Sequence, residues 1–173
     1  PALTLICLIW AIFALDTLFP FLGLRQWGIH PRTLFGLIGI LFAPLLHAGL
    51  FHIAANTVPL FVMLVLLQIQ STRHALDTLA RIWLLSGFGT WIIGRGGSNH
   101  IGASGLVYGL LSYLIAAGFY RRDWKSIAIG LLVLFSYGGL LWRIVPSYWF
   151  VSWEGHLCGA VAGVVVASWS GRK

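Results

Sequence analysis

Six stretches of this sequence run for fifteen or more residues with almost no charge, and that pattern constrains the fold more than any other feature. They cover about 2–20, 51–69, 79–93, 104–119, 126–142 and 154–169. Runs of this length match the roughly 20 residues a helix needs to cross a bilayer. Lipid offers no partner for an exposed backbone N–H or C=O, so such runs must be helices. The expected fold class is therefore all-α membrane: a six-transmembrane-helix bundle forming a single domain over 1–173, with no linker and no second domain. A further apolar stretch, 33–50, is interrupted by Gly36, Gly39, Pro44 and Gly49. Its apolarity suits another span, whereas its Gly and Pro content suits a loop lying partly in the interface.

Composition removes the soluble alternatives. Charged residues make up 9 % of the chain, against about 25 % in a soluble domain. The net charge of +7 would suit nucleic acid only if it formed a clustered basic face. The longest basic cluster is Arg121, Arg122 and Lys125, so no nucleic-acid partner is expected. Cys7 and Cys158 lie in apolar runs and read as small buried hydrophobes, neither a disulfide nor metal ligands. The first run lacks a basic leader and a small-residue cleavage site, so no cleavable signal peptide is expected. The chain starts at Pro1 without Met, which suggests a trimmed N-terminus.

Basic residues also predict orientation. Arg73, Arg81, Arg121, Arg122, Lys125, Arg172 and Lys173 fall on one side of the spans, and Arg25, Arg32, Arg95 and Arg143 on the other. The excess puts both termini in the cytoplasm, so the second, fourth and sixth spans start on the outer side. Trp27, Trp91, Trp124, Trp149, Trp153 and Trp169 lie near run ends and fit interfacial belts.

Polar residues inside spans are costly and mark function. His52 and Asn56 lie in the first turns of the second span. Ser104 opens the fourth within Gly102-Ala103-Ser104-Gly105, and His156 lies in the first turn of the sixth within Gly155-His156-Leu157-Cys158-Gly159. The derived topology brings these starts to one face. The fourth span is short: Ser104 to Phe119 at ~1.5 Å per residue covers ~24 Å of a ~30 Å hydrocarbon core. With Arg121 and Arg122 at the inner surface, Ser104 sits below the outer surface, where orphan helix N–H groups need protein or water partners. Gly105-x3-Gly109 and Gly155-x3-Gly159-x3-Gly163 allow close helix approach. Packing these two spans together would bring Ser104 Oγ within hydrogen-bond reach of His156, the contact a weak hydroxyl nucleophile needs with a base.

Tyr108 lies one turn deeper than Ser104 on the same face. It reads either as a pocket floor packing on the His156 ring or as an ordinary core tyrosine. His52, Asn56 and helix N–H groups make a plausible oxyanion hole; the alternative is plain interhelical hydrogen bonding. Of the four acids, Asp77 and Asp123 fall on the inner side, Asp16 belongs to no motif, and Glu154 lies about 200° around the helix from His156. A Ser–His dyad without a carboxylate is expected, and Asp16 and Glu154 are the acids that would overturn it. His47 reads as structural, with a part in hydrating the pocket. His30, His74 and His100 read as solvated loop histidines, and Arg95-Gly96-Gly97-Ser98 as a flexible loop.

Three blocks in this order resemble the rhomboid intramembrane proteases: His47-x4-His52-x3-Asn56, Gly102-x-Ser104-Gly105, and Gly155-His156-x2-Gly159-x3-Gly163. The resemblance implies a rhomboid-like bundle cleaving transmembrane or juxtamembrane segments of other membrane proteins through an acyl-enzyme. It implies Ser104 as nucleophile and His156 as base. His52, Asn56 and the Ser104 N–H would form the oxyanion hole, and Tyr108 would stack on the base. No metal or cofactor is implied. The fifth span and residues 144–153 would act as substrate gate and cap. Many family members carry a Trp-Arg pair in the first outer loop; here Trp27 and Arg32 are separated, which leaves the docking of 33–50 open. The chain looks like a minimal bacterial-type core in the inner membrane. Two other classes remain: a catalytically inactive relative that binds membrane clients, and a transporter or haem-binding bundle using His47, His52 and His156, for which no motif calls.

Overall fold

The computed structural model of the protein describes residues 2–145 and 152–170. Among these, α-helices form over α1 (Ala2–Leu18), α2 (Leu34–Phe42), α3 (Leu50–Ser71), α4 (Ala75–Ile93), α5 (Ser104–Arg121), α6 (Trp124–Tyr137) and α7 (Trp153–Ser170). Among the described residues the only β pairing is an isolated antiparallel bridge between Ile29 and His100.

The protein is an all-helical membrane bundle with α5 at its centre. Every residue from Leu106 to Leu114 is buried, and α3, α4, α6 and α7 all pack against this helix. Ile53, Leu60, Met63, Leu67 and Ile82 from α3 and α4 complete the innermost layer. The outer faces carry Val58, Phe88, Leu132, Phe135 and Val161, all well exposed. Such an inverted surface is stable only against lipid.

Two segments, Leu50–Gln70 and Trp124–Ile144, are long and apolar enough to cross a membrane alone. A third qualifies if α1 and the 3-10 turns over Pro20–Trp27, which bend away from it by 100°, count as one span. The expected six full spans are thus not reproduced by length and composition. The reason lies in what the other helices carry. Helix α1 has 17 residues, while the buried faces of α4, α5 and α7 include Ser, Thr, Gly, Tyr, His or Glu among their apolar residues.

Segment 33–50 forms a short helix and a 3-10 turn over Ala43–Leu45. The Thr33 side chain caps α2 by accepting the Gly36 N–H at 3.0 Å, an ordinary way to satisfy an orphan donor. Gly36 and Gly39 rest directly on the carbonyls of His30 and Gly28, with no room for a Cβ. Trp83 of α4 donates to the Ile40 carbonyl at 2.8 Å. Docking of this segment therefore uses backbone contacts instead of a Trp-Arg pair. Leu34, Ile38 and Leu41 remain exposed on its other side. Below it, Arg25 pairs with the buried Asp16 and donates to the Ala48 carbonyl at 3.0 Å, so Asp16 is committed within the first loop.

The fifth span is shorter as an α-helix than expected, ending at Tyr137 and continuing as a 3-10 helix over Gly138–Ile144. Its start is capped by the Asp123 carboxylate, which accepts from the Ser126 N–H at 2.9 Å. Cys7 is exposed rather than buried, and both cysteines are free. The expected cap over 144–153, Trp149, and the cationic C-terminal pair Arg172 and Lys173 lie wholly or largely outside the described residues.

Candidate active site

Glycine determines how α5 and α7 meet. A Cβ on Gly159 would lie 2.2 Å from the Gly105 carbonyl oxygen, and one on Gly163 would lie 2.0 Å from that of Gly109. The two backbones are in direct contact along a seam that only hydrogen side chains permit. Ser112 reinforces it by donating to the Ala160 carbonyl at 2.7 Å. The seam begins one residue after Ser104 and runs past His156, so the first turns of both helices adjoin.

Ser104 is the first residue of α5 and is partly exposed. Gly102, with φ of 117°, turns the chain into that helix in a conformation reserved for glycine. His156 is buried, and its ring stacks on Tyr108 with centroids 4.1 Å apart at 14°. The Tyr108 hydroxyl donates to the Leu140 carbonyl at 3.0 Å. The His156 Nδ1 lies 3.1 Å from the Arg143 carbonyl oxygen. A carbonyl can only accept, so Nδ1 carries a proton, and in the neutral ring Nε2 keeps its lone pair. No Ser104–His156 hydrogen bond forms among the described residues. Catalytic contacts in unliganded sites are often loose.

His52 contributes its ring on the other side of the nucleophile loop. Its Nε2 would lie 2.6 Å from a Cβ on Gly102, while Nδ1 accepts from the Ala48 N–H at 3.4 Å. That assigns the Nε2 proton to the side facing Gly102. Asn56 is buried but spends its amide on the His52 carbonyl at 3.0 Å, one turn back on the same helix. The structure thus brings Ser104, His156, Tyr108, His52, Gly102, Gly105 and Gly159 to one end of the bundle, with Asn56 one turn deeper.

Three features go beyond the sequence reading, in which His47 is structural without an assigned partner. His47 accepts the Ala103 N–H at 3.3 Å and meets the His52 ring at 5.0 Å, so it supports the backbone just before Ser104. Burial, and then the neighbouring His52, hold its pKa down to about 4, so it is neutral near pH 7. His100 is buried, not solvated. Its Nδ1 lies 2.6 Å from Ser152 Oγ and its Nε2 2.8 Å from Ser98 Oγ. Burial lowers its pKa against the pull of the nearby Glu154 carboxylate. Glu154 is 1 % exposed and pairs with Arg95 at 2.7 Å, so the Arg95 loop is anchored. The one available signal was Glu154 itself, an acid at the head of an apolar helix.

A cavity of about 40 Å³ adjoins Ser104, lined also by Ser86, Thr90, His100 and Ser152. Its walls are mostly apolar, but these side chains offer hydrogen-bonding partners and the volume admits a water molecule. A much larger cleft of about 690 Å³ opens at the far end, but Arg81 and Arg121 there are paired with Asp77 and Asp123. Among the described residues no three His, Cys, Asp or Glu side chains gather as a metal site would require.

Fold and site together define a class: an integral membrane helical protein with a serine and a histidine on adjoining helix starts. Comparison with known proteins narrows it. The Rhomboid domain family model matches residues 34–173, and the chain belongs to the rhomboid family. An uncharacterized protein of Mycobacterium tuberculosis is 48 % identical over 148 residues, covering 81 % of this chain and 62 % of its own length. An uncharacterized protein of Mycobacterium leprae is 45 % identical over 138 residues, covering 75 % and 54 %. A protein of Acanthamoeba polyphaga mimivirus named as a rhomboid protein is 28 % identical over 136 residues, covering 75 % and 72 %. The chain therefore spans about six tenths of the length of the mycobacterial relatives.

Proposed function

We propose that this protein is an intramembrane serine endopeptidase that cuts transmembrane or juxtamembrane segments of other membrane proteins. The observation that carries this reading is the state of His156. Stacking on Tyr108 and the bond from Nδ1–H to the Arg143 carbonyl fix the ring's orientation and leave Nε2 as the nitrogen free to act, on a helix whose backbone touches the one Ser104 opens.

In this mechanism Ser104 Oγ attacks the scissile carbonyl while His156 Nε2 takes the hydroxyl proton. Negative charge on the carbonyl oxygen meets the Ser104 N–H, the His52 Nε2–H and, after side-chain rotation, the Asn56 amide. His156 then returns the proton to the leaving amine, and the peptide nitrogen departs to leave an acyl-enzyme. A water from the cavity beside Ser104 gives its proton to Nε2 and attacks the ester, releasing the acid and restoring Oγ–H. No carboxylate takes part, because Asp16 is held by Arg25 and Glu154 by Arg95. α1, α3, α4, α5, the α6 segment and α7 are assigned as six spans of a bacterial inner-membrane protein with both termini cytoplasmic, as the distribution of Arg and Lys suggests.

The test uses the purified chain in vesicles with a single-span substrate. Wild type should cleave it and take up a fluorophosphonate label; Ser104→Ala and His156→Ala should lose both, Ser104→Ala while keeping the wild-type melting profile. Cleavage surviving in Ser104→Ala refutes the assignment.

A further inference from the structure

We propose that Arg95 and Glu154, seconded by His100 and Ser152, form a two-point clasp that positions the first turn of α7 against the start of α5. Its meaning for catalysis rests on the roles proposed above for Ser104 and His156; the clasp itself does not.

The pieces come from two segments that are distant in sequence. Arg95 and His100 belong to 94–103, the connection that ends at Gly102, Ala103 and Ser104. Ser152 and Glu154 flank Trp153 at the head of α7, and His156 is two residues further on. One attachment is the ion pair of Arg95 Nε with Glu154 Oε1 at 2.7 Å, a charge contact without hydrogen-bond alignment. The other joins His100 Nδ1 to Ser152 Oγ at 2.6 Å, and the same oxygen accepts the Gly155 N–H at 3.3 Å. His100 is itself fixed by backbone bonds to Ile29 in both directions at 2.9 Å. One tie would set a distance and leave α7 able to turn about it. Two ties, to residues on either side of Trp153 at the head of the same helix, also restrict rotation, and rotation decides where the His156 ring points.

The stiffness follows from burial. The Glu154 side chain is 1 % exposed and the Arg95 side chain 40 % exposed. A carboxylate held out of water is tolerated only while its cation stays in place. Any motion that parts the two segments strands the Glu154 charge, whereas Arg95 reaches water from where it lies. The two partners are therefore unequal, and the inequality is testable. Arg95→Gln leaves a buried carboxylate without its cation. Glu154→Gln leaves a guanidinium at the water boundary. Changing both leaves two amides and no stranded charge.

Hydrogen exchange by mass spectrometry on the full chain in detergent reads the first turn of α7 directly, over Gly155–Gly159. Arg95→Gln should lose the most protection, about 100-fold faster exchange; Glu154→Gln should lose less, and the double variant should regain at least half of the Arg95→Gln loss. On cleavage, kcat of Arg95→Gln should fall about 10- to 100-fold with KM within about twofold, and the double variant should again recover. Additive losses in the double variant, or Arg95→Gln exchanging like wild type, overturn the clasp. If wild type fails to cleave, the protease reading falls while the exchange cycle still decides the clasp. If wild type cleaves and Arg95→Gln loses protection yet keeps its kcat, the positioning role is refuted. Should Arg95→Gln not accumulate, Arg95→Lys retains the charge and must exchange within about threefold of wild type; a loss as large as that of Glu154→Gln rejects the pairing.

Discussion

A methyl group added at Gly159 tests the α5–α7 seam at its tightest point relevant to the site. The new Cβ of Gly159→Ala would sit 2.2 Å from the Gly105 carbonyl oxygen and 3.0 Å from its carbon. Those atoms are backbone, so no rotamer change relieves the clash. An ordinary carbon–oxygen contact needs about 3.3 Å, which requires α7 to move off α5 by roughly 1 Å. Overpacking of this kind costs about 1–3 kcal/mol, and no hydrophobic force between lipid-solvated helices offsets it. The same 1 Å shift carries His156 away from Ser104, and a misplacement of that size costs about 100-fold in rate. The assays are thermal unfolding in detergent and cleavage of a single-span substrate. Gly139→Ala is the control, because a Cβ there meets nothing within 4 Å. A Gly159→Ala protein with wild-type stability and wild-type kcat would refute the seam as the element that sets the site.

Other perturbations separate the remaining contacts. Tyr108→Phe keeps the ring stacked on His156 but removes the bond to Leu140; it should cost about 1 kcal/mol of stability and leave kcat within a few fold, as denaturation and cleavage assays would show. Arg25→Gln strands the buried Asp16 carboxylate and should cost ~2–3 kcal/mol, a loss that Asp16→Asn in the same chain should partly recover. His47 has a folded pKa of about 4 against 6.5 unfolded, so the unfolded chain binds the extra proton between those values. Its contribution is complete above pH 6.5 and is lost as pH falls towards 4, at up to about 1.4 kcal/mol per pH unit; His47→Gln should flatten that limb of the stability–pH curve. Asp123 is held below the ordinary carboxylate range, mainly by its Ser126 hydrogen bonds. Its cap on α6 is present above that range and disappears as pH falls through the lowered value, so Asp123→Asn should reduce the acid sensitivity of the α6 N-terminus in hydrogen exchange.

The fold was legible where lipid leaves no choice. Apolar runs must be helices, and the glycine spacings of the fourth and sixth spans set which faces touch. Contacts that follow from one helix's own periodicity are readable in this way, as with Tyr108, four residues after Ser104, which stacks on His156. What the sequence hid is what depends on the connections. Segment 94–103, rich in Gly, Ser and Asn, reads as flexible by composition, yet His100 is bridged to Ile29 and bonded to Ser152. No local pattern reveals such partners, because they lie 71 and 52 residues away in the chain. The same holds for the six spans. Inward-facing Ser, Gly, His and Glu lower the apolarity of α4, α5 and α7, so the features that build the site also weaken the membrane signal.

This overlap between site and seam has a physical consequence. In water a bundle is held by burial of apolar surface, and a polar site can be added at a distance from that core. In lipid the tails are as apolar as the side chains, so close backbone contact and internal hydrogen bonds must hold helices together. Here the contacts that do so are Gly105 against Gly159, Gly109 against Gly163, and Ser112 on the Ala160 carbonyl. They are the contacts that bring the Ser104 and His156 turns side by side. Stability and geometry at this site are therefore one quantity, and substitutions along the seam should move both together. Substitutions on the lipid-facing side of α6, such as at Leu132 or Phe135, touch neither the seam nor the His156 bonds.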